Sequence, residues 1–421
     1  MTARNSRRGI LATCACLIFV FEFQNSAIAQ SNAQEQNALS CLESTCRNIP
    51  NREKLTAVGH GYVRGVVGGF EQGAGIDGGA QFTTNNKIPG ITARMNLLTS
   101  TRFDRRVDFE TFIPAVGSSK NHADAWFSYM RRNTNFFGIG PRMPRDFKTD
   151  FGTELRSVQA SFSRDLTPFL QAGVYAQFVD TNTFRGRNKT DPPIDASFTT
   201  DRTGPVSQWA PGLFENTQIA SAGGFLLYDR RDNESGLTRG VQLYGRAATY
   251  DGLPNHGAFA DYGWNEAEVD LRAYIPVGGD RTSIALRSRG QLKHPKRGSQ
   301  IPFYDLSWLG GRNFVRGFET YRYRANNILM GSVELRQTIY ANSPIRGFDL
   351  IGFVDTGQVW GDNRSTTDPT VLENRHFSRS NWRTGIGGGV QYRRSRNIAA
   401  RLEVGRTNET TLIYVSLTRG F

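Results

Sequence analysis

The residues whose chemistry is clearest are one arginine and two carboxylates in the C-terminal part of the chain. Arg316 lies in the stretch 309–318, which also contains three glycines, two phenylalanines, a leucine and a valine. Side chains this apolar need burial, and an arginine that is buried with them keeps its charge and needs carboxylate partners. Glu334 and Asp355 are the candidates, because each lies on the polar face of a predicted strand. The residues therefore predict a buried ion-pair cluster; the alternative is that Arg316 is a solvated loop charge.

Catalytic or metal-binding residues are not indicated. His122 lies two residues before Asp124 and could form an acid–base pair, but without a nucleophile motif a surface or turn histidine is the better interpretation. The glycine-rich stretch 385–389 lies inside a strand pattern and no helix pattern follows it, so it does not predict a nucleotide loop. The histidines have no zinc-binding spacing; they are His60, His122, His256, His294 and His376. We therefore expect neither an enzyme nor a bound cofactor or metal.

Three motifs occur in order around this arginine. They are V-R-G-F at 315–318, G-S-x-E-L-R at 331–336 and F-x-D-x-G-x-V-W at 353–360. Together they resemble the BamA/TamA superfamily of outer-membrane assembly and secretion barrels, the bacterial surface antigen family. The resemblance implies that the arginine lies at the tip of the sixth external loop, which enters the barrel, and meets a glutamate and an aspartate on the next two strands. By that resemblance the loop latch comprises Arg316, Gly317, Phe318, Glu334 and Asp355.

The N-terminal segment has the pattern of an exported protein. Residues 1–29 combine a basic end, an apolar run and an A-x-A cleavage site, which is typical of a secretory signal peptide. Residues 30–61 are too few for a folded domain and are expected to be a short periplasmic tail. Cys41 and Cys46 in this tail are expected to form a disulfide, since an isolated pair in an oxidising compartment pairs most simply with itself.

From residue 62 to residue 421 the chain repeats one pattern, in which apolar and polar residues alternate. In the segment 266–275, Val269 and Leu271 share one face, whereas Glu268 and Asp270 share the other. So many charges share the polar face that a water-filled lumen fits better than a soluble sandwich. About sixteen such segments predict an all-β fold, a transmembrane antiparallel β-barrel. The segments fall near 62–71, 74–84, 90–103, 106–114, 122–132, 149–163, 168–182, 217–229, 239–251, 263–275, 282–294, 326–340, 347–360, 381–393, 397–407 and 411–421.

The connections between these segments alternate between short and long. Short turns lie near 164–168 and 276–281, whereas long connections run over 183–216 and 295–325. Short periplasmic turns and long external loops are typical of outer-membrane barrels. Counting the strands places Arg316 in the sixth external loop, in agreement with the resemblance.

The first and last strands form a second candidate site. The first strand is rich in glycine, including Gly68 and Gly69, and glycine weakens strand pairing. The last strand ends on Phe421 after alternating apolar residues, which resembles the signal by which outer-membrane barrels are recognised for assembly. The resemblance implies a lateral seam between these strands that opens sideways; the alternative is that the glycines relieve crowding in a tight barrel.

The charge and the family resemblance together limit the kinds of partner that are expected. The formal net charge is +13, but no RNA- or DNA-binding module is visible, so we expect outer-membrane lipid and lipopolysaccharide and no nucleic acid. The resemblance implies a protein of the bacterial outer membrane that inserts or translocates polypeptide, or lipid. Such family members usually carry periplasmic POTRA domains, so we expect a barrel-only member that acts on a polypeptide substrate with a periplasmic partner protein. The alternatives are a passive, anion-leaning pore and a surface-exposed structural barrel.

Overall fold

The computed structural model places every described residue in one compact unit, Glu53–Phe421. No helix in the described part of the chain is both long and apolar enough to cross a membrane. The described residues are 56–58, 63–67, 77–84, 90–187, 191–195, 210–232, 239–254, 261–279, 281–343, 346–362, 375–393 and 399–416.

Nineteen β-strands account for nearly all of the regular structure in these residues. They are β1 (Thr56–Val58), β2 (Val63–Val67), β3 (Asp77–Thr83), β4 (Thr92–Ser100), β5 (Arg105–Ile113), β6 (Asn121–Phe136), β7 (Thr149–Thr167), β8 (Leu170–Arg185), β9 (Asn216–Asp232), β10 (Arg239–Gly252), β11 (Gly263–Pro276), β12 (Thr282–Pro295), β13 (Ser307–Leu309), β14 (Tyr323–Ala325), β15 (Asn327–Ser343), β16 (Arg346–Trp360), β17 (Arg383–Arg393), β18 (Ala399–Arg406) and β19 (Thr411–Ser416). Short 3-10 turns occur at Arg145–Phe147, Phe303–Asp305 and Arg379–Asn381.

Seventeen of the described strands form one antiparallel meander. Each strand from β1 to β11 pairs with the next one. Strand β12 then pairs with β15, and pairing continues in chain order to β19, while β13 and β14 form a separate hairpin. Apart from β1, the sixteen strands of the meander are the sixteen segments that alternation predicts. The prediction of an antiparallel transmembrane β-barrel is therefore confirmed.

The short strand β1 lies where the sequence pattern predicts no strand. It falls within the range 30–61 that was assigned to the periplasmic tail, and it pairs antiparallel with β2, with Thr56 opposite Val67 and Val58 opposite Gly65. Three residues are too few to display a two-residue period. Alternation therefore gives no signal for this strand.

The wall of the barrel has two chemically different faces. In β11 the side chains of Glu266, Glu268 and Asp270 are buried, whereas the alternate residues Val269 and Leu271 are exposed. Successive side chains of a strand point to opposite faces, and β16 shows the same alternation of burial. Apolar side chains thus face lipid and charged side chains line the lumen, as in other transmembrane barrels.

The long connections all lie at one end of the strands, here called the external end. The connection between β12 and β15, residues 296–326, is here called loop L6. Its Phe303 ring lies 5.0 Å from Phe136 and 4.7 Å from Phe151, centroid to centroid, in an apolar cluster that joins several external connections. A second apolar cluster holds Val315 and Phe318 of loop L6 against residues of β15 and β16. These two clusters fix the path of loop L6 and so place Arg316.

Candidate functional site

Glycines allow the backbone at the tip of loop L6 to pack directly against the backbone of the wall strands. Gly317 has a φ of +98°, and a Cβ at this position would lie 2.7 Å from Thr407 Cγ2. On β17, a Cβ at Gly385 would lie 2.0 Å from the carbonyl oxygen of Arg316. On β18, a Cβ at Gly405 would lie 2.8 Å from the Gly317 nitrogen. One glycine in the loop and two on the wall therefore make this close approach possible.

The guanidinium of Arg316 lies among three carboxylates from three strands. Its Nε and Nη2 atoms donate to the two carboxylate oxygens of Asp355 on β16, at 2.7 and 2.8 Å. Its Nη1 atom donates to Glu334 on β15 at 2.9 Å and to Glu403 on β18 at 2.6 Å. The backbone N–H of Arg316 donates to Asp355 as well, at 3.0 Å. The loop tip is thus bound to three strands through one side chain.

Two further arginines balance the charge of this cluster. Arg336 Nε donates to Glu334 at 2.6 Å, and Arg401 Nη2 donates to Glu334 and Glu403 at 3.1 and 2.8 Å. Together with Arg316, three cations face three carboxylates, and each of the six residues is at most 4% exposed. Charges that are removed from water are tolerated when they are paired and hydrogen-bonded. The cluster meets this condition as a neutral set.

The ring of Phe353 covers the guanidinium of Arg316. The Cζ atom of Arg316 lies 3.4 Å from the centroid of that ring, which is a cation–π arrangement. Burial alone would lower the pKa of Arg316, but the hydrogen bonds and charge of Asp355, with the charges of Glu334 and Glu403, raise it instead. Arg316 therefore carries its positive charge throughout the pH range of the folded protein.

Loop L6 also holds the last external hairpin, which joins β18 to β19. The N–H of Gly317 donates to the hydroxyl of Tyr414 on β19 at 2.7 Å. Arg322 donates through Nε and Nη2 to both carboxylate oxygens of Glu409, at 2.6 and 2.9 Å, and the Tyr323 hydroxyl donates to the same carboxylate at 2.8 Å. Bidentate pairs of this kind are among the strongest polar contacts in proteins. The loop and the last two strands are therefore directly joined.

A second set of ion pairs lines the lumen wall between β10 and β12. Asp270 lies 2.7 Å from Arg272 and 2.8 Å from Arg287. Glu268 lies 2.9 Å from Arg246, which also contacts Glu266, and 2.8 Å from Arg289. Each of these four arginines thus contacts at least one of three carboxylates.

The structure brings together the five residues that the sequence assigned to loop L6 and its partners. The third carboxylate, Glu403, was missed. It alternates with Leu402 and Val404, so its lumen-facing side could be predicted, but its height relative to the loop tip follows only from the fold. The remaining predicted site residues lie outside the described residues and stay predictions: Gly68, Gly69 and Phe421 of the seam, and the cysteines Cys41 and Cys46.

The two side chains considered as an acid–base pair have different partners. His122 Nε2 lies 2.9 Å from the carboxylate of Asp165, and Nδ1 lies 2.8 Å from the carbonyl oxygen of Pro114. Asp124 instead accepts a hydrogen bond from Ser161. His122 thus joins two short turns. Within the described ranges, no group of three or more histidine, cysteine or acidic side chains is arranged to hold a metal ion.

Comparison with known proteins identifies the class of barrel. The model of the Omp85 superfamily domain matches residues 90–399. The fold is similar to that of BamA from Haemophilus ducreyi lacking POTRA domains 1–3, with a TM-score of 0.61 and 14% identity, over 96% of this chain and 80% of that chain. It is also similar to CdiB from Escherichia coli, with a TM-score of 0.54 and 13% identity, over 94% of this chain and 70% of that chain. No curated protein sequence matches the chain significantly.

The match to the family model spans well over half of the chain and includes β4 to β17 together with loop L6. The sixteen strands β2 to β12 and β15 to β19 of the meander agree with a barrel of this class. This protein therefore belongs to the Omp85 superfamily and is a β-barrel of the bacterial outer membrane.

Proposed function

We propose that this barrel inserts polypeptide into the outer membrane or translocates polypeptide across it, with loop L6 latched in the lumen by Arg316. Membership of the Omp85 superfamily supports the class of function. The observation that carries the proposal is the contact of one loop arginine with carboxylates on three separate strands. A polypeptide substrate and a periplasmic partner protein form part of the proposal.

The latch is a polar contact that can be broken and formed again. Removing one partner from a buried ion-pair cluster typically costs about 3–5 kcal/mol, which is enough to keep the loop in place most of the time. Withdrawal of Arg316 would leave three carboxylates facing two arginines, Arg336 and Arg401. That imbalance favours return of the loop, so the latch limits how long the lumen stays open.

Pairing of the lumen charges favours this function over a passive, anion-leaning pore. The arginines of β10, β11 and β12 that face the lumen contact carboxylates on the same or the neighbouring strands. A paired arginine attracts a passing anion less than a free one does. Residues of several external connections also pack together around Phe303.

Depletion followed by complementation tests the proposal. This protein is depleted from its host cells, and the outer-membrane and secreted proteomes are measured. The measurement is repeated after the depleted cells are complemented with the wild type, Arg316→Ala or Arg297→Ala. Arg297 is a matched control because it is an exposed arginine of the same loop. We expect depletion to remove particular barrels or secreted proteins while their transcripts persist, and we expect the wild type and the control to restore them.

The outcomes separate the function from the latch. Unchanged proteomes after depletion would contradict insertion or translocation and favour a pore or a structural barrel. Full restoration by Arg316→Ala, at wild-type abundance in the outer membrane, would leave the function standing but show that the latch is not required for it.

A further inference from the structure

The outward face of the wall carries an unusual set of arginines at the external ends of β5 to β8. Arg105 on β5 and Arg131 on β6 are directly opposite each other in the antiparallel register. Both side chains face outward. The adjacent residues in the chain, Arg106 and Met130, are buried on the lumen side, and successive side chains of a strand point to opposite faces. Like charges directly opposite each other in a sheet destabilise the pairing. Glu154 on β7 is directly opposite Arg131 and offsets part of this repulsion, and a further negative group between the two arginines would offset the rest.

Two more arginines extend the set around the same part of the wall. Arg156 on β7 is opposite Tyr129, the outward neighbour of Arg131, and its side chain is 58% exposed. Arg187 follows β8 and lies over the ring of Phe184 at 5.6 Å, while Arg131 lies over the same ring at 4.7 Å. The name outer arginine cluster is used here for Arg105, Arg131, Arg156 and Arg187.

The carboxylates next to this cluster do not neutralise it. Glu154 lies 2.9 Å from Arg156 and 3.8 Å from Arg131, and Asp180 lies 3.6 Å from Arg156. The four arginines of the cluster thus have two neighbouring carboxylates, which contact Arg131 and Arg156. The excess positive charge is exposed on the outside of the barrel and faces away from the lumen.

The cluster lies at the upper border of the apolar band. The outward side chains of Phe109, Phe127, Val158 and Phe178, between 37% and 52% exposed, are opposite one another and form a row across the same four strands, further from the external end than the cluster. Positions of the same face are about 7 Å apart along a strand. The guanidinium groups therefore lie where the lipid chains end and the headgroups of the outer leaflet begin.

Other described parts of this rim carry no comparable set. The outward positions near the external ends of β9, β10 and β11 include Gln218, Thr249 and Asn265. Asp251 and Lys296 contact each other there, and Arg406 is the outward arginine near the end of β18. The positive excess is thus local to β5–β8 and is not a general feature of the described wall.

We propose that the outer arginine cluster binds the phosphate of an outer-leaflet lipid, a phosphorylated glycolipid of the lipid A type. Guanidinium groups match phosphate oxygens in bidentate geometry, and the neighbouring apolar band accommodates the acyl chains of the same molecule. A phosphate between Arg105 and Arg131 also offsets the repulsion between these two residues. The site is on the lipid side of the wall, so it is independent of the proposed function of loop L6.

Native mass spectrometry of the full-length protein with bisphosphorylated lipid A tests the site. The variant is Arg105→Gln/Arg131→Gln, and the matched control is Arg164→Gln/Arg230→Gln. The control removes two exposed outward arginines, one on β7 and one on β9, at the ends of these strands that lie away from the external end. Both variants are first shown to retain the heat-resistant fold of the wild type on gels.

We expect the variant to bind bisphosphorylated lipid A about tenfold more weakly than the wild type, because two charge-assisted contacts are lost. The control should bind it like the wild type, and dephosphorylated lipid A should bind the wild type and the variant equally weakly. Unchanged affinity in the folded variant, or an equal loss in the control, would overturn the proposal. Equal occupancy by inorganic phosphate alone would overturn its assignment to a lipid.

Discussion

At the scale of residues, the position of Arg316 depends on wall glycines that lie outside the sequence motif. Gly385 belongs to the glycine-rich stretch 385–389, for which the sequence alone indicated no nucleotide loop. In the structure it lies against the backbone of Arg316, where a Cβ would be 2.0 Å from the carbonyl oxygen. The observed position of the loop tip therefore depends on the absence of a side chain on β17 as well as on the carboxylates on β15, β16 and β18.

Gly385→Ala should release the loop without changing any charge. The added methyl group meets the Arg316 backbone, so the tip must move away from Asp355 and Glu334. We expect loop L6 to be cleaved by trypsin at least ten times faster than in the wild type, as in Arg316→Ala. Gly352→Ala on β16 is the control, because a Cβ there meets no atom within 4 Å. Wild-type cleavage of Gly385→Ala, or equally fast cleavage of the control, would contradict this account.

Sequence reasoning located the arginine and two of its carboxylates because their motifs are local. Each motif spans only a few residues, and alternation assigns Glu334 and Asp355 to the polar face. Glu403 is 87 residues from Arg316 and lies in no motif, so its part in the cluster depends on the tilt and stagger of the strands. The same limit applies to Gly385 and Gly405, since a close approach of two backbones leaves no periodic signal.

At the scale of elements, loop L6 and the β18–β19 hairpin are expected to move together. They are joined by the Arg322–Glu409 pair and by the hydrogen bond from Gly317 to Tyr414. Glu409→Gln weakens the pair and leaves Arg322 with an uncharged partner. We expect amide hydrogen exchange to rise severalfold in peptides from both segments, because loss of a bidentate contact lowers their opening free energy by about 1–3 kcal/mol.

The control for this element is Glu154→Gln on the outer face, which contacts neither segment. Faster exchange in the hairpin alone, with protection of residues 316–324 unchanged, would show that loop and hairpin are independent elements. Equal changes in the control would show that the effect is not specific to the pair.

A second set of ion pairs of loop L6, those of Glu319, should depend on pH. Glu319 lies 2.8 Å from Arg145 and 2.9 Å from Lys148, which belong to the connection between β6 and β7. Burial alone would raise the pKa of Glu319, but these two cations lower it below its usual value of 4.5. A lowered pKa in the folded state contributes stability above the unfolded pKa, and the contribution is lost as the pH falls through the folded pKa.

Glu319→Gln should therefore lower the unfolding temperature slightly at pH 7, and the difference from the wild type should shrink as the pH falls below 4.5, as measured by tryptophan fluorescence. The site is partly exposed, so the contribution is expected to be below about 1 kcal/mol. The same difference above and below pH 4.5 would show that the carboxylate acts by packing and not by its charge.

Strands with full alternation were predictable from the sequence, and the short ones were not. The two-residue period that a wall between lipid and a polar lumen imposes is clear in strands such as β11 and β16. The hairpin of β13 and β14 and the strand β1 have three residues each, which is too short to reveal that period. Their pairing is set by neighbouring elements, and it becomes visible only once the wall and loop L6 are in place.

At the scale of the whole molecule, the barrel combines a loop that is bound to the lumen wall with a local group of arginines on its outer face. Loop L6 is bound to the lumen wall through Arg316, and its Phe303 packs with the other external connections. The lumen arginines of β10 to β12 each contact a carboxylate, whereas in the outer arginine cluster the neighbouring carboxylates contact Arg131 and Arg156. We therefore expect opening of the barrel to depend on release of the loop, and the proposed lipid site to act independently of that release.

Planar-bilayer recordings of the purified protein would test whether loop L6 limits ion conduction through the lumen. We expect the wild type to show a low open probability with brief openings, and Arg316→Ala to raise the open probability at least tenfold, since a loss of about 3–5 kcal/mol from the latch shifts the loop toward withdrawal. The control Arg297→Ala should behave like the wild type, because this exposed arginine is not part of the latch. Anion preference should stay weak in all three proteins, since the lumen arginines of β10 to β12 are paired. A large, steady and anion-selective conductance that is unaffected by Arg316→Ala would contradict the latch and identify the barrel as a passive pore.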